Sequence, residues 1–250
     1  MTKLLDTKEV RATFASPCWQ HVVFNEFEAT LTSKSRPFPC IYGVSGLKSG
    51  QLRFAFVDAI TADTVGPLLR DYLGDARQIG KLTSLVVFCR PGPVQSIESY
   101  RNHFWTLLDD LERTDESPRP DGIPTELDDP HWEFCYGGEP IFVVCNSPAH
   151  VLRQSRRSTS FMVTFQPRWV FDGILDDESP AAQRGLETVR RHLEAFDAIE
   201  TSPFLGRYGD PETREFQQYF LDDTNDKPTC PFHSLGAEDD RNTEKKGKVA

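Results

Sequence analysis

Between Trp132 and Phe171 the chain passes through WEFCY, PIFVVCN and FMVTFQ, three apolar segments rich in aromatic and β-branched residues. Runs this short and this apolar read as buried strands, so a chain that carries them must fold around a sheet. WEFCY and PIFVVCN are joined by Gly-Gly-Glu, which reads as a hairpin. After an Asn-Ser-Pro turn comes His150, then Arg153, Arg156 and Arg157, and Arg168 follows the third run. A basic loop with one histidine, set between core strands, suits a large, flat, anionic ligand. Haem is one such ligand and a phosphate-bearing molecule is another.

The rest of the chain supplies helices and further strands. Residues 17–33 place Trp19, Val22, Val23, Phe27 and Leu31 at helical spacing, with Pro17 suited to a helix start, and the two prolines of PFPC then break the pattern. LRFAFVDAI reads as a strand, ADTVGPLLRDYL as a short helix capped near Thr61 or Asp63, and LTSLVVFCR as a central strand. Residues 96–113 form the clearest amphipathic helix, capped by Ser96, with a stripe of Tyr100, Phe104, Leu107, Leu108 and Leu111. The proline-rich connector ESPRPDGIPTELDDP is expected to lie along the surface of the same domain. A long helix from Ala181 and a short one from Arg214 complete the pattern. No internal repeat or linker divides the chain. The expected fold is α+β: a single domain over residues 1–235, with a mixed or antiparallel sheet packed by several helices. The charged tail of residues 236–250 is expected to be disordered.

A net charge of -10 argues against sequence-independent nucleic-acid binding and against an anionic membrane surface. No apolar run approaches the roughly 20 residues of a membrane span, and the start has no signal-peptide core. A cytoplasmic protein is the expectation, with its six cysteines as thiols and Cys89, Cys135 and Cys145 as small buried hydrophobes. No C-x-x-C pair, GxGxxG, Walker loop, HExxH or GxSxG is present, which lowers zinc-knuckle, nucleotide, zinc-protease and serine-hydrolase readings.

The strings FPCIYG, LRFAFVD, HFWTLLDDLERTD, WEFCYGGEPIFVVCNSPAH, TFQPRWVFD, LGRYGD, FQQYFLDD and CPFH resemble the YqcI/YcgG family from about Phe38 to His233. The resemblance implies a haem protein. Characterised members of that family are haem-dependent N-hydroxylases acting on guanidine groups such as that of arginine. It implies haem b, an axial ligand, cations for the propionates, and a small-molecule substrate oxygenated with O2 or peroxide. With O2, two electrons must come from an external reductase or ferredoxin, since no flavin or iron–sulfur motif is present. A homodimer is left open.

On that footing, His150 is the preferred axial ligand, because a helix beginning near Ala149 would place His150, Arg153 and Arg157 on one face. Cys230 and His233 in TCPFH are its rivals. Arg153, Arg156 and Arg168 are candidate propionate partners, Arg168 being flanked by aromatics that would let it stack and still bond a carboxylate. The alternative for Arg168 is a structural salt bridge to Asp172 or Glu139. A guanidinium substrate needs a carboxylate; Glu139, Glu133 and Asp172 are the candidates, with Glu139 ahead for its Gly-Gly neighbours. Two other classes remain: a haem-binding or gas-sensing module without turnover, and a haem-free protein whose arginine loop takes an anionic metabolite.

Overall fold

The computed structural model describes residues 3–174 and 179–228. Seven helices and five strands appear among them: α1 (Thr7–Thr13), α2 (Trp19–Thr32), α3 (Ile41–Lys48), β1 (Leu52–Val57), α4 (Ala62–Ile79), β2 (Ser84–Cys89), α5 (Ile97–Thr114), β3 (Cys135–Tyr136), β4 (Glu139–Asn146), β5 (Met162–Pro167), α6 (Pro180–Phe196) and α7 (Phe216–Tyr219). The strands form one sheet in the order β1-β2-β5-β4-β3. β1 and β2 are parallel, joined through α4, and every other pair is antiparallel. The sheet is therefore mixed and the fold α+β, as the sequence pattern implies.

The two-residue period of a strand decides what lies on each side. On one face, Ile141, Val143 and Cys145 of β4 join Val163 and Phe165 of β5, Leu85 and Val87 of β2, and Ala55 and Val57 of β1. They pack against the apolar stripes of α4 and α5 and against Phe216 and Tyr219 of α7. On the other face, Phe54, Phe56, Val86, Phe88 and Met162 meet Val10 of α1 and Val23, Phe24 and Leu31 of α2. Phe142, Val144, Asn146, Thr164 and Gln166, which share that second face, line a cavity instead.

Local chemistry explains the boundaries. Ser96 accepts the Ser99 N–H and starts α5; Thr61 and Thr64 form a reciprocal cap that starts α4. Gly137 and Gly138 have φ of 63° and 74°, the left-handed pair that a two-residue hairpin turn requires, so Glu139 opens β4 instead of lying in the turn. Arg119 holds the 115–131 connector down by bonding the carbonyls of Ile123, Pro124 and Glu133 and pairing with Glu112.

Three expectations need correction. The prolines of PFPC do not only break a helix; they lead into α3, with Cys40 as its N-cap. α4 continues past the short predicted segment to Ile79, running through Gly74 on its exposed face. Cys89 is half-buried, unlike Cys135 and Cys145. Cys230, His233 and residues 236–250 lie outside the described residues.

Gly46 seats α3 against the chain entering β2: a Cβ there would stand 2.4 Å from the Leu82 carbonyl oxygen. Gly74 of α4 has nothing within 4 Å of such an atom. Gly46→Ala is expected to destabilise by about 1–3 kcal/mol, and Gly74→Ala to stabilise by about 0.5–1 kcal/mol. Urea melts of the two variants check the opposite signs; equal shifts would contradict this packing.

Candidate functional site: an arginine-lined cavity on the second face of the sheet

The basic loop after β4 folds differently from the expected helix. Residues 149–152 are irregular, and one 3-10 turn covers Gln154–Arg156. His150 is fully buried. Its Nε2 donates to the Leu221 carbonyl at 2.8 Å, which leaves Nδ1 to accept from the Ser147 hydroxyl at 2.9 Å. Both ring nitrogens are therefore engaged by the protein. Arg153, 1 % exposed, donates Nε to the Asp222 carbonyl and Nη2 to Thr224 and Asn225. The Asp223 carboxylate accepts the backbone N–H groups of Val151, Leu152 and Arg153. Partial burial raises the Asp223 pKa, but these three donations outweigh it and hold the group below the usual carboxylate value. The loop is thus a clasp on the segment that follows α7.

The cavity next to this clasp has a volume of about 640 Å³, within the range of small-molecule and cofactor sites. Its floor is the β4–β5 half of the sheet. Val23, Phe27 and Leu31 of α2, Leu186, Val189 and Leu193 of α6, and Phe38, Phe142, Phe171 and Phe196 make its apolar walls. Among the described residues, seven arginines line it against three carboxylates, Glu26, Asp197 and Glu215. Arg36 bonds the Phe196 carbonyl and lies 3.9 Å over the Phe196 ring, joining the segment before α3 to the end of α6. Arg156 donates to the Gln218 carbonyl, while its fully buried Nε has no hydrogen-bond partner. Desolvation first, and the Arg153 charge second, pull the Arg156 pKa down to about 10.

Arg168 lies 3.8 Å over the Tyr208 ring and bonds Glu215 at 3.0 Å and Glu133 at 3.3 Å. Its salt bridges go to these two carboxylates, not to Asp172 or Glu139. Burial, with Glu133 adding to it, pushes the Tyr208 hydroxyl up to about 12, so it stays protonated and donates to the His131 carbonyl.

Arg153, Arg156 and Arg168 all line this cavity. Glu133 stands behind Arg168, fully buried. Four candidates do not line the cavity, Glu133 among them. His150 pins the clasp, Glu139 pairs with Arg77 at the surface, and Asp172 is exposed beyond the wall. Cys40, Arg36, Glu26, Arg190, Arg207 and Glu215 line the cavity and carried no individual signal. The strings FPCIYG and LGRYGD, which hold Cys40, Arg207 and Tyr208, both border it.

The model of the YqcI/YcgG family matches residues 27–233. The chain belongs to the YqcI/YcgG family. It is 41 % identical to YqcI of Bacillus subtilis (strain 168) over 239 residues, covering 92 % of this chain and 93 % of YqcI. It is 42 % identical to YcgG of the same organism over 229 residues, covering 88 % of this chain and 90 % of YcgG. A third relative, from Streptomyces lavendulae, bears the name "Putative N(omega)-hydroxy-L-arginine synthase DcsA"; it is 28 % identical over 231 residues, with 88 % of this chain and 86 % of DcsA covered. No solved structure matches the chain.

The clasp has a measurable signature. Burial lowers the His150 pKa below 6.5, against the opposing effect of its bond to Leu221. Below pH 6.5 the unfolded chain takes up a proton that the native ring refuses, so stability is constant above that pH and falls as pH drops toward the folded value. Melting temperatures between pH 8 and pH 5 should show this fall. In His150→Gln it should vanish, at the expense of a lower melting temperature throughout. The same acid slope in both proteins would contradict the assignment.

Proposed function

We propose that this chain binds haem b in the cavity and hydroxylates a guanidine nitrogen of arginine or a related small polar molecule. The observation that carries the reading is the cavity itself: aromatic walls, a sheet floor and an excess of arginines, in a chain whose family includes a relative named for hydroxyarginine synthesis. Haem needs apolar walls, cations for its propionates and a protein ligand. The walls and cations are present, and the orphaned Nε of Arg156 is a buried donor suited to an anionic group. No group of three His, Cys, Asp or Glu side chains among the described residues could hold a bare metal ion; haem iron asks for a single protein ligand.

Bound there, haem would supply the iron at which O2 or peroxide is activated and one oxygen atom is inserted into an N–H bond. With O2, the second oxygen would leave as water, using two electrons from a separate reductase or ferredoxin and two protons from solvent. The chain's own residues bind and orient. Arg36, Arg156, Arg190 and Arg207 hold carboxylates, and the phenylalanines exclude water. Arg168 is fixed at the cavity wall by Tyr208 and its two glutamates. The substrate's cation needs a carboxylate that lines the cavity, and this moves the role away from Glu139, Glu133 and Asp172. Asp197 is engaged by Ser155 and Arg153, and Glu215 by Arg168 and Gln218. Glu26, which among the described residues accepts only the Thr159 hydroxyl, is the lining carboxylate with capacity to spare. No helix among the described residues is long and apolar enough to cross a membrane, in keeping with the proposed cytoplasmic location.

The test is to express the protein with haem supply, record its absorption spectrum, and assay arginine with a reductase system for a product one oxygen atom heavier. A Soret band and that product are expected. Glu26→Gln should keep the band and raise KM for arginine about tenfold, as loss of a charge-assisted bond of about 1.5 kcal/mol implies. A Soret band without any guanidine product would favour a haem sensor. A colourless protein that takes up no added hemin would favour an anionic metabolite in the arginine-lined cavity.

A further inference from the structure

Haem iron in proteins takes its axial ligand from histidine, cysteine, methionine or tyrosine. Among the described residues no histidine lines the cavity, and Cys40 is the one cysteine that does. Met162 is packed into the apolar cluster under α2. Tyr208 is held by Arg168 and by its bond to the His131 carbonyl. Tyr42 is confined by α6, where a Cβ on Gly185 would come within 2.4 Å of its hydroxyl.

Cys40 differs from these side chains in what surrounds its sulfur. It is the N-cap of α3, and its Sγ accepts the Gly43 N–H at 3.3 Å. Gly43 leaves room for that approach, since a Cβ there would itself stand 3.3 Å from the sulfur. The positive end of an eight-residue helix faces the thiol. The Arg156 charge also acts on it. Arg156 also lines the cavity, and its buried Nε has no hydrogen-bond partner among the described residues. Cys40 is exposed as a residue, yet desolvation of its sulfur pushes the thiol pKa up, while the Gly43 and Tyr42 N–H groups and the Arg156 charge pull it down. N–H donors on a sulfur are also what tunes a metal-bound thiolate.

We propose that Cys40 is the axial ligand of the iron. The inference rests on the haem reading above and replaces His150 with a thiolate. On binding ferric haem, the Cys40 S–H bond breaks, the proton leaves to solvent, and the sulfur lone pair forms the Fe–S bond without change of oxidation state. Thiolate ligation favours O–O cleavage, which suits an oxygen-inserting site better than a histidine ligand does.

The test uses full-length, haem-loaded protein, reduced and exposed to carbon monoxide. A thiolate ligand moves the Soret band strongly to the red; a histidine ligand does not. The wild type should show the red-shifted band. Cys40→Ser should lose it while keeping its melting temperature, because serine is a good N-cap. Cys230→Ser should retain it. An unshifted band in the wild type, or a red-shifted band that survives in Cys40→Ser, overturns Cys40 as ligand and leaves haem binding intact. A wild type that takes up no haem at all overturns the reading beneath it. Those failures are distinguished by whether any Soret band forms.

Discussion

A sheet with apolar side chains on both faces must be covered on both, and this sheet is covered on one and a half. α4, α5 and α7 close the first face completely. α1 and α2 close the second over β1 and β2, and stop there. Over β4 and β5 the cover is held off by α6 and by the segment leading into α3, and the gap is the cavity. Its floor is correspondingly mixed: Phe142 and Val144 alternate with Asn146, while Thr164 and Gln166 bring polar groups to β5. Buried polar groups on a floor of this kind fit a bound molecule with both apolar body and polar edges.

The clasp keeps that gap in shape. Tyr219 accepts the Phe134 N–H and donates to the Ile141 carbonyl, so α7 is fixed to β4. The chain then runs from Phe220 to Asn225 under the basic loop, where His150, Arg153 and the Asp223 carboxylate lock it. Gln218, Glu215 and Leu221 thereby reach the cavity wall from one side and Arg156 from the other. Breaking a buried, hydrogen-bonded charge such as Arg153 is strongly destabilising, typically by about 3–5 kcal/mol. The loop's basic character is consumed largely by folding, and only part of it faces a ligand.

Much of the fold was legible because it rests on local periodicity. The strands at Leu52, Ser84, Cys135, Glu139 and Met162 and the Ser96-capped helix follow from alternation and capping. α3 was not, because Gly43, Ser45 and Gly46 make a poor helix stripe and the helix exists through its contact with the chain at Leu82. The site was legible by half. A dense basic loop drew attention to Arg153, Arg156 and Arg168, and these do border one cavity. The same density pointed to His150, whose partner, the Leu221 carbonyl, lies 71 residues away and leaves no trace in local pattern. Cys40, Glu26 and Arg207 come from three distant segments, and only tertiary packing brings them together. The family resemblance ran through two of those segments without saying which side chains mattered.

The claim on which the rest depends is that the haem iron sits over the β4–β5 half of the sheet. Anomalous diffraction at the iron edge, from crystals of the haem-loaded protein, tests it directly. The account predicts one iron peak inside the cavity bounded by Phe142, Val144, Arg156 and Cys40. A peak at His150, a peak at the protein surface, or a cavity filled by another molecule in protein with full haem content would contradict it.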